Sequence, residues 1–598
     1  MVEIVDYIIL VAVLYAVNLL VYLNFNHGLA RNAKGLQSRR YLIASFVSVL
    51  PVAVAQVPVT SGALLFNLAL SLVCGTAFPV IYHLSNRKSS PDYDNRIDLV
   101  YGIYLFGWFS ALKIVASWVQ NDYLYIVFCA LVGIAAFLVA LLAVIQWGYY
   151  FIFKTNFGTD SMQLVQDTDR NEAIEFVKSF NPLTLLLICV AILSSLALCV
   201  WGECMGLGVE NIPIWGFLFA LAWLVSMLKY IWVGKRSLLC RTGLVLMYLD
   251  VKEYSKRILL YSKEKESRLE NFELKTFGAD AQRPHTYIMV IGESASRDYM
   301  SAYVDMEHDT TPWVRACKED TARNIIFPNA YACANQTVPT LERVLTERNQ
   351  YNNKEFYESV SVVDIARKAG YKTYWFSNQG VIGAAETSIT LVAKTCDVAK
   401  WTKQEVNKVQ YDGALLDFLD ELNPQENNFV ILHLMGSHFN FINRYPAEAT
   451  QWGEPGVQDN ILNYMNSIRY TDTLLKKIYE YGCEKLNLQV LIYFSDHACV
   501  PDKRRVPHFT GFENVRVPLS LHCSDSYISN HKERFDAMRA NKDKYFTNDL
   551  MYEFVCGVLD VRSNHFDTDN SLAYPNYKYT RDMLLTNNGQ TPINADNR

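Results

Sequence analysis

The sequence contains no pair of cysteines at CxxC spacing and no repeated cysteine spacing, although it has thirteen cysteines. Six lie before residue 241 and seven after it, so the C-terminal part has at least one thiol that cannot pair within that part. The spacing therefore predicts no disulfide framework and indicates no compartment. The sequence also lacks a strong charge of either sign, since a net charge of −5 over 598 residues gives no indication of a nucleic-acid partner.

Polar residues are scarce in the first part of the chain. Residues 1–233 are strongly apolar, whereas the rest has the mixed composition of a globular domain, a division that the overall mean hydropathy of +0.05 conceals. A chain of this length has room for several domains of about 150 residues each. We therefore expect an N-terminal polytopic α-helical membrane domain over residues 1–233, followed by a soluble part.

Seven apolar segments have roughly the 20 residues that a helix needs to cross the hydrocarbon core of a bilayer. They are residues 7–25, 41–60, 62–83, 98–120, 124–153, 182–202 and 212–233. The stretch 41–83 is alternatively one long span with a re-entrant piece. The first segment has no basic region ahead of it and is followed by further spans, so we expect a retained helix rather than a cleaved signal peptide.

The basic residues of the N-terminal part lie in three connecting regions. They are Arg31, Lys34, Arg39 and Arg40, then Arg87 and Lys88, and finally Lys235 and Arg236. The positive-inside rule would place all three regions on the cytoplasmic side, together with the soluble part. Because a miscount of one helix reverses this result for everything downstream, the charges alone leave the orientation open.

Residues 234–284 connect the two parts of the chain. Tyr248, Tyr254, Leu259 and Leu260 are interspersed there with many Lys, Glu and Arg residues. The pattern fits an amphipathic bridging linker at the membrane surface, and it fits a plain solvated linker helix equally well.

From residue 286 onward, short apolar runs alternate with amphipathic stretches. The runs predict buried strands at 287–291, 373–376, 429–434 and 490–494, and the amphipathic stretches lie at 361–369, 411–422 and 459–482. Such alternation predicts an α/β domain with a largely parallel sheet.

We place this domain at residues 285–560. Residues 561–598 are rich in Asn, Asp, Thr and Tyr and have no apolar period. We expect them to form a loosely ordered C-terminal tail, with a stretch near 573–585 packed on the domain.

Three of the predicted strands end in residue types that bind metal ions. Glu293 follows the first strand, His433 and His438 lie within and after the third, and Asp496 and His497 follow the fourth. In open α/β sheets, ligands bind beyond the carboxyl ends of the strands. A single such end is more often a surface group or a turn, but three ends at one sheet edge favour a catalytic zinc site.

Residues 337–346, TVPTLERVLT, supply a candidate nucleophile. Thr337 precedes Pro339 and a run of helix-forming residues, which is typical of a helix start. The free N–H groups and positive dipole of a helix N-terminus favour a phosphate bound to the Thr337 hydroxyl. Without the metal-ligand residues, Thr337 would be interpreted simply as an N-cap.

The order of these motifs resembles the phosphoethanolamine transferases of the alkaline-phosphatase/sulfatase superfamily, in particular those that modify lipid A and the lipooligosaccharide core. The matching segments are VIGESASR (290–297), TTP (310–312), NQTVPTLERVLT (335–346), HLMGSHFNFINRYP (433–446) and FSDH (494–497). The resemblance covers the whole soluble part and implies a C-terminal α/β/α sulfatase-like domain. It also implies a multi-pass protein of the bacterial inner membrane whose catalytic domain faces the periplasm, although that family commonly has five spans.

The resemblance implies roles for individual residues. The ligands of one zinc ion would be Glu293, Thr337, Asp496 and His497. His438 and His508 would stabilise phosphoryl oxygens, assist proton transfer or hold a second metal ion. Asn378 and Gln379, which follow the second predicted strand, are candidates for contact with the ethanolamine head group.

Thr337 occupies the nucleophile position of the sulfatase motif Cys-x-Pro-Ser-Arg. The register departs from the lipid A enzymes, in which the reacting Thr lies in a Cys-Gly-Thr segment, whereas here no Thr follows Cys333 before Thr337. We therefore assign the nucleophile to Thr337 and keep Thr340 as the second candidate. A threonine hydroxyl needs a metal ion or a base to become an effective nucleophile at neutral pH.

The function that the resemblance implies is transfer of phosphoethanolamine from phosphatidylethanolamine to lipid A, core oligosaccharide or another envelope acceptor, through a covalent intermediate on threonine. Three alternatives stay open: a phosphoglycerol transferase of the same fold, a membrane sensor or scaffold with a degenerate catalytic domain, and a transporter. The transporter has little support, because Lys113 is the main ionisable residue of the spans. A sulfatase is disfavoured because Thr337 cannot be converted to formylglycine.

Overall fold

The computed structural model describes residues 4–598 except for 26–30, 86–95, 155, 159–160, 163–164, 166–167, 169, 179, 210, 271, 277–283, 380–387, 403–408 and 503–510. The chain forms two compact units. The helical unit comprises Met1–Gln163 with Phe180–Lys252, and the α/β unit comprises Leu164–Ser179 with Glu253–Arg598.

Long helices dominate the first 258 residues. They are α1 (Ile4–Phe25), α2 (Arg31–Val54), α3 (Gly62–Ser85), α4 (Arg96–Ala116), α5 (Asp122–Phe153), α6 (Arg170–Lys178), α7 (Pro182–Cys204), α8 (Ile214–Ile231) and α9 (Gly243–Ile258). Among the described residues, six of these helices are long and apolar enough to cross a membrane, namely α1, α3, α4, α5, α7 and α8.

The expected count of seven spans is therefore corrected to six for the described part of the chain. The segment expected at 41–60 does lie in a helix, α2, but this helix ends at Val54 and includes Arg39 and Arg40. Its apolar part is consequently shorter than the roughly 20 residues that a spanning helix needs.

Helix α4 lies at the centre of the helical unit, where most of its side chains are buried and α2, α3, α5 and α8 pack against it. Gly75 of α3 and Gly102 of α4 meet at the closest crossing. A Cβ atom on Gly102 would lie 2.5 Å from the Cα atom of Gly75. Small residues at such crossings let helix backbones approach closely, which is a usual basis of helix association in lipid.

Ionisable side chains buried in the helical unit contact backbone groups of neighbouring segments. The Lys113 ammonium donates to the carbonyl oxygen of Glu203 and, at 3.0 Å, to Cys129 Sγ. The Asp98 carboxylate accepts from the Gly243 N–H at 3.1 Å. These bonds tie α4 to α5, α7 and the start of α9, so they have a structural role.

Within the described residues, the α/β unit contains thirteen short strands. They are β1 (Leu274–Thr276), β2 (Thr286–Gly292), β3 (Asn324–Ile326), β4 (Ala330–Tyr331), β5 (Lys372–Ser377), β6 (Val398–Trp401), β7 (Asn428–His433), β8 (Leu488–Ser495), β9 (Leu519–Cys523), β10 (Phe546–Thr547), β11 (Arg562–Ser563), β12 (Leu585–Thr586) and β13 (Thr591–Pro592).

Seven of these strands form one sheet with the order β3-β9-β8-β2-β7-β5-β6. The strands β8, β2, β7, β5 and β6 are parallel, whereas β9 runs antiparallel to both of its neighbours. The four strands predicted from the apolar runs correspond to β2, β5, β7 and β8, which are adjacent in the sheet. The largely parallel α/β fold is thereby confirmed.

Helices cover the sheet. They are α10 (Leu260–Lys263), α11 (Lys265–Glu270), α12 (Pro312–Glu319), α13 (Thr337–Val344), α14 (Val362–Lys368), α15 (Ser388–Ala393), α16 (Leu416–Leu419), α17 (Asn460–Lys485), α18 (Asp525–Asn530), α19 (Lys532–Ala540) and α20 (Met551–Val558).

Side chains of the central strand β2 alternate between two apolar layers. Met289 and Ile291 join the layer that contains α13, α14 and α20, whereas Ile288 and Val290 join the layer that contains α17. This alternation follows from the two-residue period of a strand. The sheet is therefore covered on both faces, as an α/β/α domain requires.

The C-terminal residues 561–598 are packed on the α/β unit rather than loosely ordered. Leu572, Leu584 and Ile593 are fully buried in its apolar core. The Asp596 carboxylate accepts two hydrogen bonds from the Arg516 guanidinium, at 2.6 and 2.7 Å. The expectation of a loose tail is wrong because the buried apolar residues here are too widely spaced to show a helix or strand period.

The second half of the expected linker is also part of the α/β unit. Tyr261 is fully buried and its ring stacks on Phe356, with centroids 4.5 Å apart. Strand β1 pairs antiparallel with β11 near the C-terminus. Leu246 and Tyr248 of α9 are exposed, and their contact with a membrane surface stays a prediction.

Candidate metal centre

The carboxyl ends of two adjacent strands bring together the metal-ligand residues predicted from the sequence. Gly292 at the end of β2 pairs with Ser495 at the end of β8, which places Glu293 beside Asp496 and His497. Ligand atoms of these three side chains all lie within 4.8 Å of one another. All three residues are at most 1% exposed, so the cluster is buried.

Thr337 is the first residue of α13 and completes the cluster. Its Oγ1 donates to Glu293 Oε2 at 3.0 Å and lies 3.4 Å from His497 Nε2. Thr340, the second candidate nucleophile, is fully buried and donates to the carbonyl oxygen of Ala334. The geometry therefore favours Thr337 over Thr340 as the reacting hydroxyl.

The donor atoms of His497 and Asp496 are oriented by bonds on their far sides. The His497 Nδ1–H donates to the Ala498 carbonyl at 3.0 Å, which assigns the tautomer and leaves the Nε2 lone pair facing the cluster. Asp496 Oδ1 accepts from the backbone N–H groups of Ser294 and His497. Asp496 Oδ2 is buried and has no hydrogen-bond partner among the described residues.

The carboxylates of Glu293 and Asp496 share this buried site. Burial raises the pKa of the Asp496 carboxyl well above its usual range, and the neighbouring Glu293 carboxylate raises it further. The imidazole of His497 lies 3.4 Å from both Glu293 Oε1 and Asp496 Oδ2. Because a bound cation would offset this repulsion and use the orphaned oxygen, the residues fit a metal ion.

Glu293 is held by two side chains that donate to its carboxylate. Ser294 Oγ donates to Oε1 at 2.6 Å, and Gln379 Nε2 donates to Oε2 at 3.1 Å and to the Leu434 carbonyl at 2.9 Å. The sequence-based expectation placed Gln379 on the ethanolamine head group, whereas its amide orients a candidate metal ligand. The position of Ser294 within the Gly-Glu-Ser motif was the available signal for its role.

The loop after β7 packs on the backbone of Glu293 through Gly436. This glycine has a φ of +51°, and a Cβ atom there would lie 2.8 Å from the backbone N and O atoms of Glu293. The Ser437 N–H donates to the Glu293 carbonyl at 2.9 Å, and His438 is the next residue. Asp412 anchors the loop by accepting from the N–H groups of Met435 and Gly436.

Asn548 links the backbone at Asp496 to the backbone at Cys333. Its Nδ2 donates to the Asp496 carbonyl at 2.7 Å, and its Oδ1 accepts from the Cys333 N–H at 2.9 Å. No sequence signal pointed to Asn548 or to Asp412, because each acts through backbone atoms of residues far away in the chain.

Asn378 has a structural role in the described fold, contrary to the expectation that it contacts a head group. Its Nδ2 donates to Asp412 Oδ1 and to the Gln410 carbonyl, and its Oδ1 accepts from Thr402 Oγ1 at 2.7 Å. The side chain is fully buried and bonded on both sides of its amide.

Two further histidines that the sequence suggests for the site are His433 and His508. His433 is buried at the end of β7, where burial lowers its pKa to about 4 and keeps the imidazole neutral at pH 7. Its Nδ1 lies 3.4 Å from Ser377 Oγ, so it supports the strand ends. His508 lies outside the described residues.

A model of one protein family matches residues 285–588, about half of the chain, and this family is described as Sulfatase. The chain belongs to the sulfatase family. The match begins at the first residue of the predicted catalytic domain and extends into the C-terminal segment that packs on it. Family membership thus agrees with the α/β/α fold and with the ligands at the strand ends.

Curated relatives within the sulfatase family confirm the resemblance to phosphoethanolamine transferases. Phosphoethanolamine transferase OpgE of Escherichia coli (strain K12) is 32% identical over 269 residues, which cover 42% of this chain and 48% of OpgE. Phosphoethanolamine transferase CptA of Salmonella typhimurium is 26% identical over 503 residues, which cover 76% of this chain and 83% of CptA. The chain thus matches only about half the length of OpgE but most of CptA.

A solved structure has the same overall architecture. The integral membrane protein lipooligosaccharide phosphoethanolamine transferase A (EptA) of Neisseria meningitidis superposes with a TM-score of 0.55 and 17% identity. The superposition covers 86% of this chain and 97% of EptA. It shows that an N-terminal helical membrane domain followed by a sulfatase domain is the fold of this chain.

Proposed function

We propose that this protein is a zinc-dependent phosphoethanolamine transferase that moves the head group of phosphatidylethanolamine to an acceptor in the cell envelope, with Thr337 as the nucleophile. The observation that carries the proposal is the position of the Thr337 hydroxyl. It lies within 3.4 Å of both Glu293 and His497 in a buried cluster of metal-ligand residue types. The names of the relatives OpgE and CptA support the choice of phosphoethanolamine.

Glu293, Thr337, Asp496 and His497 are the proposed ligands of the zinc ion. Carboxylate oxygens and a neutral imidazole are donors that zinc accepts in catalytic sites. When bound there, zinc would favour the alkoxide form of Thr337 and polarise the phosphoryl group of the donor lipid. The hydrogen bonds from Ser294 and Gln379 hold Glu293 in place for this role.

The proposed reaction has two displacements at phosphorus. Thr337 Oγ1 forms a bond to the phosphorus of the donor, and the bond from phosphorus to the diacylglycerol oxygen breaks. The diacylglycerol oxygen takes up the proton that Thr337 releases, so the protons balance. The Thr337 proton leaves toward Glu293 Oε2, to which the hydroxyl already donates. An acceptor hydroxyl or phosphate then attacks the phosphothreonine and regenerates the threonine.

His438 and His508 are proposed to contact the phosphoryl oxygens or the leaving group, or to hold a second metal ion. His438 follows Ser437, whose backbone N–H is bonded to Glu293, so the chain brings this imidazole close to the cluster. The acceptor class is an envelope glycolipid or glycan, such as lipid A or core oligosaccharide.

The donor and the nucleophile can be tested together. Detergent-purified protein is incubated with fluorescent phosphatidylethanolamine or phosphatidylglycerol, and diacylglycerol release and intact protein mass are followed. We expect release from the ethanolamine lipid only, with a phosphoethanolamine adduct on Thr337. Thr337→Ala should abolish both signals, Thr337→Ser should retain part of them, and chelation of zinc should remove them reversibly.

Three results would contradict this proposal. Release from phosphatidylglycerol alone would identify a phosphoglycerol transferase of the same fold. An adduct that survives Thr337→Ala would place the nucleophile elsewhere. A folded, zinc-loaded protein that cleaves neither lipid would favour a sensor or scaffold.

We further propose that the protein lies in the bacterial inner membrane with the α/β unit in the periplasm. Cys483 on α17 offers a test, because it is exposed whereas the other described cysteines of the α/β unit are buried or half-buried. A membrane-impermeant maleimide should label Cys483 in intact cells with a permeabilised outer membrane, and Cys483→Ser should remove the label. Labelling only after cell lysis would place the α/β unit in the cytoplasm, as the positive-inside rule predicts.

A further inference from the structure

A second polar cavity lies in the α/β unit. It has a volume of about 320 Å³, and its walls come from the loop after α13, from α20 and from the C-terminal segment. Its residues include Glu347, Tyr351, Glu553, Asn570 and Tyr579, and we call it the C-terminal pocket. Its volume lies at the lower end of the range of roughly 300–1,000 Å³ that small-molecule sites occupy.

One buried side chain of the C-terminal pocket has an oxygen without a hydrogen-bond partner. Asn570 is 8% exposed, and its Oδ1 has no partner among the described residues. Glu553 is 5% exposed, accepts from the Asp567 N–H at 3.1 Å and interacts with the Asn570 side chain. Since leaving a buried polar atom without a partner is unfavourable, the Asn570 oxygen calls for an explanation, and a bound ligand provides one.

The charges of the C-terminal pocket are already balanced, which argues against an ionic ligand. Glu347 accepts from His565 Nδ1 at 3.0 Å and is paired with Lys354. Lys578 lies 3.4 Å from Asp567. Within the described residues, the carboxylates of this pocket do not form a cluster with metal-ligand spacing, whereas those of the metal centre do.

Burial raises the pKa of the Glu553 carboxyl to about 8, and the neighbouring Asp567 and Glu347 carboxylates contribute to the rise. The raised pKa favours the protonated carboxyl, which offers one donor and one acceptor. Asn570 Oδ1 offers a second acceptor nearby in the same wall. A ligand that matches them must carry neutral groups that both donate and accept hydrogen bonds, which is the property of hydroxyl groups.

Aromatic rings supply the apolar part of the wall. The rings of Tyr351 and Tyr579 lie 4.7 Å apart at an angle of 40°. Tyr351 is held in place because its hydroxyl accepts from the Leu585 N–H at 3.1 Å. Rigid tyrosine faces beside amide and carboxyl groups suit a ligand that has both hydroxyl groups and an apolar C–H face.

We propose that the C-terminal pocket binds a neutral saccharide, with its hydroxyl groups bonded to Asn570 Oδ1 and Glu553 and a C–H face packed on the tyrosine rings. The site goes beyond the proposed transfer reaction, because sugar binding requires neither zinc nor a donor lipid. A saccharide portion of the envelope acceptor and a separate glycan of the envelope share this chemistry.

The proposal is tested by saturation-transfer NMR and titration calorimetry on the detergent-purified, zinc-loaded full chain. The probes are glucose, galactose, N-acetylglucosamine, lactose and chitobiose. Calcium chloride and ethanolamine are tested in parallel as ligands of other chemical classes. We expect at least one sugar to bind. Asn570→Leu should weaken binding at least tenfold, and Glu553→Gln, which keeps the shape of the side chain, should weaken it less.

Two controls separate this site from the metal centre. Asn594→Ala, an exposed asparagine outside the pocket, should bind the sugar as the wild type does. Thr337→Ala should abolish head-group transfer but leave sugar binding unchanged, so each proposal can fail without the other. If lipooligosaccharide competes with the bound sugar, the natural ligand is the saccharide portion of the acceptor. If it does not compete, the natural ligand is a separate glycan.

The proposal is overturned if no sugar binds to protein whose melting temperature shows it to be folded, or if calcium or ethanolamine binds instead. It is also overturned if sugar binding is equal in the wild type and in both pocket variants. Should Asn570→Leu fail to fold, Glu553→Gln alone decides the outcome.

Discussion

The metal centre and the C-terminal pocket both combine buried carboxyl groups with a histidine, but their charges are balanced differently. In the metal centre, His497 lies 3.4 Å from two carboxylates, and Asp496 Oδ2 has no partner among the described residues. In the C-terminal pocket, Glu347 is paired with both His565 and Lys354. Two adjacent carboxylates, with an Asp496 oxygen that has no hydrogen-bond partner among the described residues, favour a cation. Paired charges beside Asn570 Oδ1, which likewise has no partner there, favour a neutral ligand.

The two regions are also expected to respond differently when one of their buried carboxylates is substituted. In the metal centre, burial and the Glu293 carboxylate raise the pKa of Asp496, and a bound zinc ion would offset the repulsion between the two carboxylates, so we expect binding and folding to be coupled. In the C-terminal pocket, the cations belong to the chain itself. A substitution of one carboxylate should therefore affect zinc binding in the first region and leave it intact in the second.

The largest effect on zinc affinity is expected for Asp496, whose Oδ2 has no hydrogen-bond partner among the described residues. Asp496→Asn removes the charge of a proposed zinc ligand, and we expect zinc affinity to fall by more than the roughly 10–100-fold that loss of a supporting hydrogen bond costs. Zinc content by elemental analysis and a competitive chelator titration measure the change. Glu347→Gln is the matched control, and loss of zinc from that variant would break the distinction between the two regions.

A smaller effect is expected for the amide that orients Glu293. Gln379→Leu removes the donor to Glu293 Oε2, and zinc affinity should fall by roughly 10–100-fold while the fold persists. The chain offers a close control in Gln350, whose Nε2 likewise donates to a buried carboxylate, Asp549, and to a backbone carbonyl. Equal losses of zinc in Gln379→Leu and Gln350→Leu would mean that only general stability had been measured.

The smallest effect is expected in the pH dependence of stability. The Glu553 carboxyl has a raised pKa of about 8 in the folded protein against 4.5 for an ordinary Glu, so the folded state binds the proton more tightly. The stability from this group is fully present below pH 4.5 and is lost as the pH rises to about 8. The melting temperature of the wild type should therefore fall, relative to that of Glu553→Gln, across this interval.

Glu553→Gln keeps the side-chain shape and removes the titration, so melting curves of the zinc-loaded proteins at several pH values isolate the contribution. A difference in melting temperature that is constant from pH 4.5 to 8 would show that Glu553 does not titrate there. The control Asp536→Asn alters an exposed carboxylate on α19, for which we expect a flat difference in this range.

The main strands were predictable from the sequence because a buried parallel strand needs a continuous apolar run. The runs at 287–291 and 490–494 correspond to β2 and β8, and the polar residues directly after them form the metal centre. Thr337 was predictable from its place at a helix start ahead of Pro339. These features depend on residues that are neighbours in the chain.

Other features depend on residues far apart in the chain. Packing was expected near 573–585 but missed for the rest of 561–598, because the apolar contacts there are made by single residues, such as Leu572 and Ile593, within polar surroundings. Helix α2 was assigned a longer apolar span than it has, since the sequence does not show that the helix ends at Val54.

The sequence by itself determined the division into an apolar helical part and an α/β part, and it identified the ligand types at the strand ends, because periodicity and strand order are local properties. Only the tertiary structure decided that Gln379 orients Glu293, that Asn378 is used within the fold and that Thr337 rather than Thr340 faces the cluster. The physical reason is that a hydrogen bond depends on the distance and direction between two atoms, and those are set by packing of segments distant in sequence.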